Sequence, residues 1–319
     1  MVSVIIPTFN RLNELSDLLY SLARVNQFRD IEVIIVDNNS QGIDYQPLLN
    51  KYSAEGLRVS LCVNLVEGSL ARSRNIGLSK SKGRYVFFID DDNIVIEDTI
   101  AGLVNVMERN LPIGIVSPVA FYDSNREIVL DAGARRGYIN SFTVNMFLNE
   151  RKILLPDGII EISEVSNAFM VRSEVFENIG IFDEEIFPID LDEADLCIRT
   201  KKAGFGIYSV PKANVFHKVE KISSFAISSL RFRREKNAYS MGRNRILFQR
   251  KHLSWPAYAA FFVFYFPIFV LMYLFSLSLL QSGAGLCMRL RYMRKFLEGV
   301  CDGLNYQDGT LRSAHGTAV

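Results

Sequence analysis

A chain of 319 residues exceeds the usual size of one domain and has ample length for a sizeable core, so one large domain with an appendage is expected. A formal net charge of +1 excludes whole-molecule attraction to nucleic acid, and no nucleic-acid partner is expected. The four cysteines, Cys62, Cys197, Cys287 and Cys301, include no Cys-x-x-Cys pair, which gives no zinc signature and predicts reduced thiols.

Val2 to Ile6 reads as a buried strand stopped by Pro7, followed by the loop Thr8-Phe9-Asn10-Arg11. Leu12, Leu15, Leu18, Leu19 and Leu22 then recur at spacings of three and four, the apolar stripe of a helix. The first strand starts almost at once, with no basic leader and hydrophobic stretch of the secretory kind, so a cytoplasmic catalytic part is the expectation. A second strand at Ile31 to Val36 ends in Asp37-Asn38-Asn39-Ser40, a third is predicted at Val59 to Val63, and a fourth at Tyr85 to Ile89. Strands alternating with helical patterns predict an α/β class, a mostly parallel sheet flanked by helices. Right-handed crossovers would bring the loops after the strands to one side and build a cleft there.

The fourth strand runs straight into Asp90, Asp91 and Asp92. Three adjacent carboxylates repel one another and need solvent or a cation, so they read either as a solvated acidic turn or as a hard-metal site for Mg²⁺ or Mn²⁺ that can hold a diphosphate. Position six from Asp90 is Val95, where a calcium loop needs glycine, and neither the dinucleotide fingerprint nor the phosphate-binding P-loop occurs. Between strands three and four, Glu67 to Gly77 reads as helix and carries Arg72 and Arg74. Helical residues two apart do not share a face, so only one of these arginines is expected in the cleft.

Ile189 to Arg199 begins as a loop and becomes a helix, on which Asp192 and Asp195 share a face while Glu193 points elsewhere. These acids read either as a general base or as a first turn that suits the helix dipole. His217 follows the strand-like stretch Ile207 to Val210. From Arg231 to Lys251, Arg231, Arg233, Arg234, Lys236, Arg243, Arg245, Arg250 and Lys251 face one acid, Glu235, as in a membrane-surface element. Ala257 to Leu280 has no charged residue and is long enough to span a hydrocarbon core, with Pro267 expected to kink or split it. Basic clusters flank both ends, so a single span would put one of them on the outer side against the usual bias. A re-entrant hairpin with both ends cytoplasmic competes with a span, and a buried core helix of a soluble protein is the third reading. The tail from Asn305 is short, polar and expected to be loosely ordered.

The segments VSVIIPTFNR, VIIVDNNS, ARSRNIGL and GRYVFFIDDDN, in that order, resemble the family-two inverting glycosyltransferases of the GT-A fold. The resemblance continues through VSNAFMVRSEVFENIGIFDE, DLDEADLCIRTKKAGF and VFH, so it covers residues 2 to 252. It implies metal-dependent transfer of a sugar, with inversion, from a nucleotide-diphosphate donor to a hydroxyl of a glycan or lipid-linked acceptor. Asp37 resembles the acid that contacts the nucleoside base, with Pro7, Thr8 and Asn10 in the same pocket. Asp90 and Asp92 match the outer positions of the Asp-x-Asp motif, with Asp90 nearer the ribose, Asp91 between them and Asp92 the direct ligand of Mg²⁺ or Mn²⁺. Arg74 matches the arginine of the Arg-Asn-x-Gly segment, which places it among the donor-binding residues, where arginine and metal would stabilise the leaving diphosphate. The family has Glu-Asp where this chain has Asp192-Glu193, which places the base at Glu193 and leaves Asp192 as its competitor.

His217 falls where the family often completes the metal site, and Asn167 stands where many relatives have glycine beside the acceptor pocket. Arg243 and Asn244 resemble an Arg-Asn segment of membrane-associated members that build rhamnose-containing or related glycans, a candidate acceptor-phosphate contact. The expected organisation is a catalytic domain over 1–230, its nucleotide half at 1–110 and acceptor half at 111–230, then a basic linker at 231–256. Membrane-associated helices at 257–304 and a tail at 305–319 complete it, with the catalytic domain on the cytoplasmic face. The rival activities are a nucleotidyltransferase, which would release pyrophosphate in place of nucleoside diphosphate, and a non-catalytic membrane-tethered binder. Donor base, sugar, acceptor, linkage and oligomeric state are not encoded legibly.

Overall fold

The computed structural model describes residues 1–25, 30–66, 68–109, 112–220, 235–279 and 286–307. Two compact units emerge, one drawing on Met1–Arg135 and Asn145–Ser224, the other on Arg136–Val144 and Phe225–Val319. Arg231, Arg233, Arg234, Leu280 and the end of the tail lie outside the described residues.

The chain up to residue 217 runs β1 (Val2–Thr8), α1 (Leu12–Ala23), β2 (Ile31–Asp37), α2 (Gln46–Ala54), β3 (Arg58–Val63), α3 (Leu70–Lys80), β4 (Tyr85–Ile89) and β5 (Asn93–Val95). It continues through α4 (Thr99–Arg109), β6 (Ile113–Tyr122), β7 (Asn125–Asp131), β8 (Ala134–Arg136), β9 (Thr143–Asn145), β10 (Ile160–Glu161), β11 (Ala168–Arg172), α5 (Ser173–Ile179), α6 (Asp192–Lys202) and β12 (Gly206–His217). The main sheet has the order β10-β12-β6-β11-β4-β1-β2-β3, with β5 on β12 and β7 on β6. β3, β2, β1 and β4 are mutually parallel, as are β6 and β12, whereas β11 enters antiparallel between β4 and β6. The sheet is thus mostly parallel and flanked by helices, as the alternation of patterns predicts.

β1 does not stop at Pro7. Its pairing with β4 ends at Ile5, but its pairing with β2 continues through Pro7↔Val36 to Thr8↔Asp37. With only one partner left at that point, the strand tolerates the missing N–H of proline. Along β1, Val2, Val4 and Ile6 enter one apolar cluster and Ile5 the other, so both sheet faces are covered, which explains near-continuous apolar strands in place of alternation. α3 lies directly on this sheet, because a Cβ at Gly77 would overlap the Ile5 side chain. Its first turn is capped by Ser69, whose hydroxyl accepts from the Arg72 N–H at 3.3 Å.

The second unit contains α7 (Glu235–His252), α8 (Trp255–Ala260), a π turn at Phe261–Tyr265, α9 (Phe266–Leu279) and α10 (Leu286–Asn305). Buried Ile246, Phe261, Phe269, Tyr273 and Phe296 form its core. α7 and α10 touch backbone to backbone: a Cβ at Gly242 would lie 2.5 Å from the Phe296 carbonyl oxygen, and one at Gly299 would overlap the Tyr239 carbonyl. Pro267 does not split the apolar run. Residues Trp255–Phe275 stay helical and form one stretch long and apolar enough to cross a membrane. The π turn, which holds Val263 four residues before Pro267, widens the backbone where the ring would otherwise collide.

Candidate active site

Parallel pairing puts the carboxyl ends of β1, β2 and β4 on one sheet edge, and the polar residues that follow them meet there. The Thr8 hydroxyl donates to Asp91 Oδ2 at 2.8 Å, and Arg11 Nη1 bridges Asp91 Oδ1 at 3.0 Å and Asp92 Oδ2 at 2.9 Å. Asn10, at φ +54°, binds the loop after β2: its N–H donates to Ser40 Oγ at 2.8 Å, and its Oδ1 accepts from the Gln41 N–H at 3.1 Å. Buried Asp37 accepts from the Ser40 N–H and, at 3.5 Å, from the Tyr45 hydroxyl. Pro7 is the buried residue of β1 that precedes this loop. The pocket wall is therefore fixed by contacts among its own polar groups before any ligand arrives.

The centre of the site is Arg74 on α3, with a side chain only 1% exposed. Its Nη1 donates to Asp192 Oδ2 at 2.5 Å and its Nη2 to Glu193 Oε1 at 2.7 Å, with Asp90 Oδ1 at 3.8 Å from Nη2. Arg72 turns outward to Glu184 at 2.9 Å. The expectation that Asp192 and Asp195 act on one face while Glu193 points away does not hold. Asp195 binds Arg199 at 2.8 Å, and the two adjacent acids converge on the fork of one guanidinium. Side chains of the first helical turn project beyond the helix end, so a planar donor lying across that end reaches both.

Electrostatics divide this pair. Burial first, then the neighbouring Glu193 charge, pushes Asp192 well above the usual carboxylate range, while Arg74 opposes the shift. Glu193 is also raised by burial, but Arg74 and the hydrogen bond from Asp192 outweigh it and leave Glu193 below its ordinary value. The two shifts run in opposite directions, favouring the proton on Asp192 and the charge on Glu193. Accessibility matches this division, with Asp192 1% and Glu193 19% exposed. Asp90 is pushed up to about 7 by burial against the pull of Arg74, and Asp190 to about 6 by burial and by Glu193. Asp190 and Leu191 enter α6 at φ +62° and +66°, a left-handed step that delivers Asp192 and Glu193 at the helix start.

Asp92 has a different environment. Burial raises it, but the hydrogen bond and charge of His217 together with Arg11 hold it below the usual range. His217 Nε2 lies 2.9 Å from Asp92 Oδ1. That buried carboxylate oxygen has no other hydrogen-bond partner among the described residues, so beside the ring nitrogen the site presents one oxygen and one nitrogen of the kinds that ligate a divalent cation. Among the described residues no group of three or more His, Cys, Asp and Glu side chains forms a metal cage. One carboxylate with the remaining positions filled by substrate phosphates and water is a common way to hold Mg²⁺, and Asp92 fits that part, with the His217 nitrogen as a second, softer donor beside it.

Asn167, at φ +49°, supports the acid loop, accepting from Asp90 N–H with its carbonyl at 2.9 Å and from Asn93 Nδ2 with its side chain at 2.9 Å. Arg243 and Asn244 belong to the second unit, where Arg243 Nη1 donates to Asn244 Oδ1 at 2.9 Å and stacks over Tyr306. Sequence reasoning missed Arg11, which now neutralises two of the three aspartates. It missed Asn64, whose Nδ2 reaches Asn38 Oδ1 at 2.8 Å and Ser73 Oγ at 3.0 Å. Arg11 stands in the first quoted motif and was detectable there; Asn64 follows a strand without any local signal.

A model of glycosyl transferase family 2 matches residues 3–180, more than half of the chain. An uncharacterized glycosyltransferase of Haemophilus influenzae is 33% identical over 180 residues, 56% of this chain and 55% of that protein. The poly(ribitol-phosphate) β-N-acetylglucosaminyltransferase TarP of Staphylococcus aureus is 36% identical over 113 residues, 34% of this chain and 33% of its own. The first three curated relatives are covered over only 24%, 55% and 59% of their lengths. Among solved structures, S. aureus TarS 1-349 superposes with a TM-score of 0.58 at 16% identity, covering 98% of this chain and 83% of that one. GalNAc-T7 with UDP, GalNAc and Mn²⁺ gives a TM-score of 0.62 at 17% identity, covering 92% and 54%. These two likenesses establish the shared fold. The family match, together with the strand-edge acids and the buried arginine that ties them to α6, leads to one assignment: this chain is a member of glycosyl transferase family 2.

Proposed function

We propose that the chain transfers a sugar, with inversion, from a nucleotide-diphosphate donor to a hydroxyl of a glycan or lipid-linked acceptor at the cytoplasmic face of a membrane. The observation that carries the reading is the Arg74 fork, which joins the acid loop after β4 to a partly exposed Glu193 and a buried Asp192. Asp37 and the Thr8–Asn10 loop offer polar partners for the nucleoside, and Asp90 for the ribose. Asp92 and His217 would hold Mg²⁺ or Mn²⁺, which when bound neutralises charge developing on the diphosphate.

Glu193 takes the proton of the acceptor hydroxyl as its oxygen attacks the anomeric carbon from the face opposite the diphosphate. The bond from that carbon to the diphosphate oxygen breaks, and its electron pair leaves with the nucleoside diphosphate. Arg74 is a positioning residue here, because both its terminal nitrogens are occupied by the acids and it is closed to solvent. Membrane attachment is supported by the apolar helix and its exposed aromatic residues, among them Trp255, Phe264 and Phe275.

The test is nucleoside diphosphate release from UDP-, GDP- and dTDP-linked hexoses and rhamnose, with Mn²⁺ or Mg²⁺ and membrane extract as acceptor source. Release with one donor, lost in Asp92→Asn and Glu193→Gln, is the expected result. Pyrophosphate as the product would instead indicate nucleotidyl transfer, and metal-dependent donor binding without turnover from any acceptor fraction would indicate a binder.

A further inference from the structure

The apolar helix α9 and the amphipathic helix α10 of the second unit each present a buried and an exposed apolar face. On α9, Phe266, Phe269 and Tyr273 are buried, while Phe264 of the π turn and Ile268, Leu271 and Phe275 of α9, at spacings of four, three and four, are 65%, 50%, 66% and 64% exposed. On α10, Phe296 is buried, while Leu290, Leu297 and Leu304, seven residues apart, stand out along one line. Arg294, with its side chain 80% exposed, borders that line; it and Lys295 share one acid, Glu298, at 2.8 Å each, so the pair of cations keeps a net positive charge beside the stripe. An apolar stripe edged by cations fits the surface of an anionic bilayer.

The inner faces decide how deep the unit goes. The Phe269 ring carries the Arg245 guanidinium at 3.9 Å, and Tyr273 stacks on Phe296 at 3.9 Å, directly after Arg294 and Lys295. Phe269 lies roughly 21 Å along the helix from Trp255, about two-thirds of the way across a hydrocarbon core. If Trp255–Phe275 crossed the bilayer, its inner face would carry Arg245 and the charged turn of α10 into hydrocarbon, where ionised side chains are strongly disfavoured. The glycine contacts of α7 with α10 leave these helices no room to part without losing the core.

Building on the membrane attachment proposed above, we infer that the second unit lies in the plane of one leaflet of an anionic bilayer. The apolar segment enters without crossing, so both of its ends stay on the same face. Two measurements test this on the full chain. In sealed inside-out membrane vesicles from expressing cells, a membrane-impermeant maleimide is applied to single-cysteine forms. One carries Ser254→Cys ahead of the segment with all native cysteines replaced by serine, and the other retains only Cys287 behind it. Labelling of both from the same side is expected; labelling from opposite sides establishes a span and overturns the inference while leaving membrane attachment intact.

In flotation with sealed vesicles of phosphatidylcholine alone or with phosphatidylglycerol added, binding should require the anionic lipid. It should weaken about fivefold in Arg294→Gln and by more in Leu297→Asp. Flotation indifferent to lipid charge overturns the inference. So does concentration-dependent self-association that hides the stripes in place of vesicle binding, which would make a second copy the occupant. Nucleoside diphosphate release by the detergent-solubilised Arg294→Gln variant should equal that of the parent, so failure of the transferase reading shows up separately from failure of the in-plane arrangement.

Discussion

Glu193 and Asp192 occupy neighbouring positions and are shifted in opposite directions, and single substitutions should separate them. Glu193→Gln should lower kcat by about 10²–10⁴-fold with donor affinity retained, measured as product release against donor binding. Asp192→Asn mimics the neutral form that burial favours, so it should cost far less activity. Arg74→Met removes the only cation facing both acids among the described residues and should destabilise the fold by about 3–5 kcal/mol in denaturant unfolding. Asp190 gives a pH signature. Its folded pKa of about 6 lies above that of an unfolded aspartate, so its contribution is present at low pH and is lost as pH rises through the folded value. Asp190→Asn, which also suits the left-handed backbone there, should flatten the fall in Tm between about pH 4 and 6 and raise Tm at pH 7. At this scale the acids themselves were legible, because each ends a strand or opens a helix. Their shared partner was not: Arg74 and Asp192 are 118 residues apart, and no local pattern joins them.

Close approach of α3 to the sheet sets the height of the site. Any side chain at position 77 would press on Ile5 and lift α3, and Arg74, one turn earlier, would rise with it. Gly77→Ala should therefore reduce kcat and stability together, with a cost of about 1–3 kcal/mol in unfolding experiments, whereas Ser69→Ala should cost about 1 kcal/mol through the lost cap. The parallel strands were readable from apolar runs with polar ends, since burial on both faces leaves that composition. Two features were not. The passage of β1 through Pro7 depends on which neighbour remains at that point, and the reversed insertion of β11 depends on pairing with β4 and β6, neither of which lies beside it in sequence.

Across the whole molecule the two units carry different reporters. The single tryptophan, Trp255, belongs to the second unit and is largely exposed, whereas most strand residues belong to the first. Heating should give a tryptophan-fluorescence transition that does not coincide with the loss of sheet signal in circular dichroism, and anionic vesicles should shift the Trp255 emission to the blue. The second unit also borrows residues 136–144 from the middle of the chain: Ser141 accepts from Arg245 at 2.5 Å, 104 residues later. On the ribosome that hairpin emerges roughly 5–20 s before its partner helix exists, so the second unit cannot finish folding until α7 has been made. Its assembly is therefore among the last folding steps in the biogenesis of the protein, set by the length of chain between the hairpin and α7.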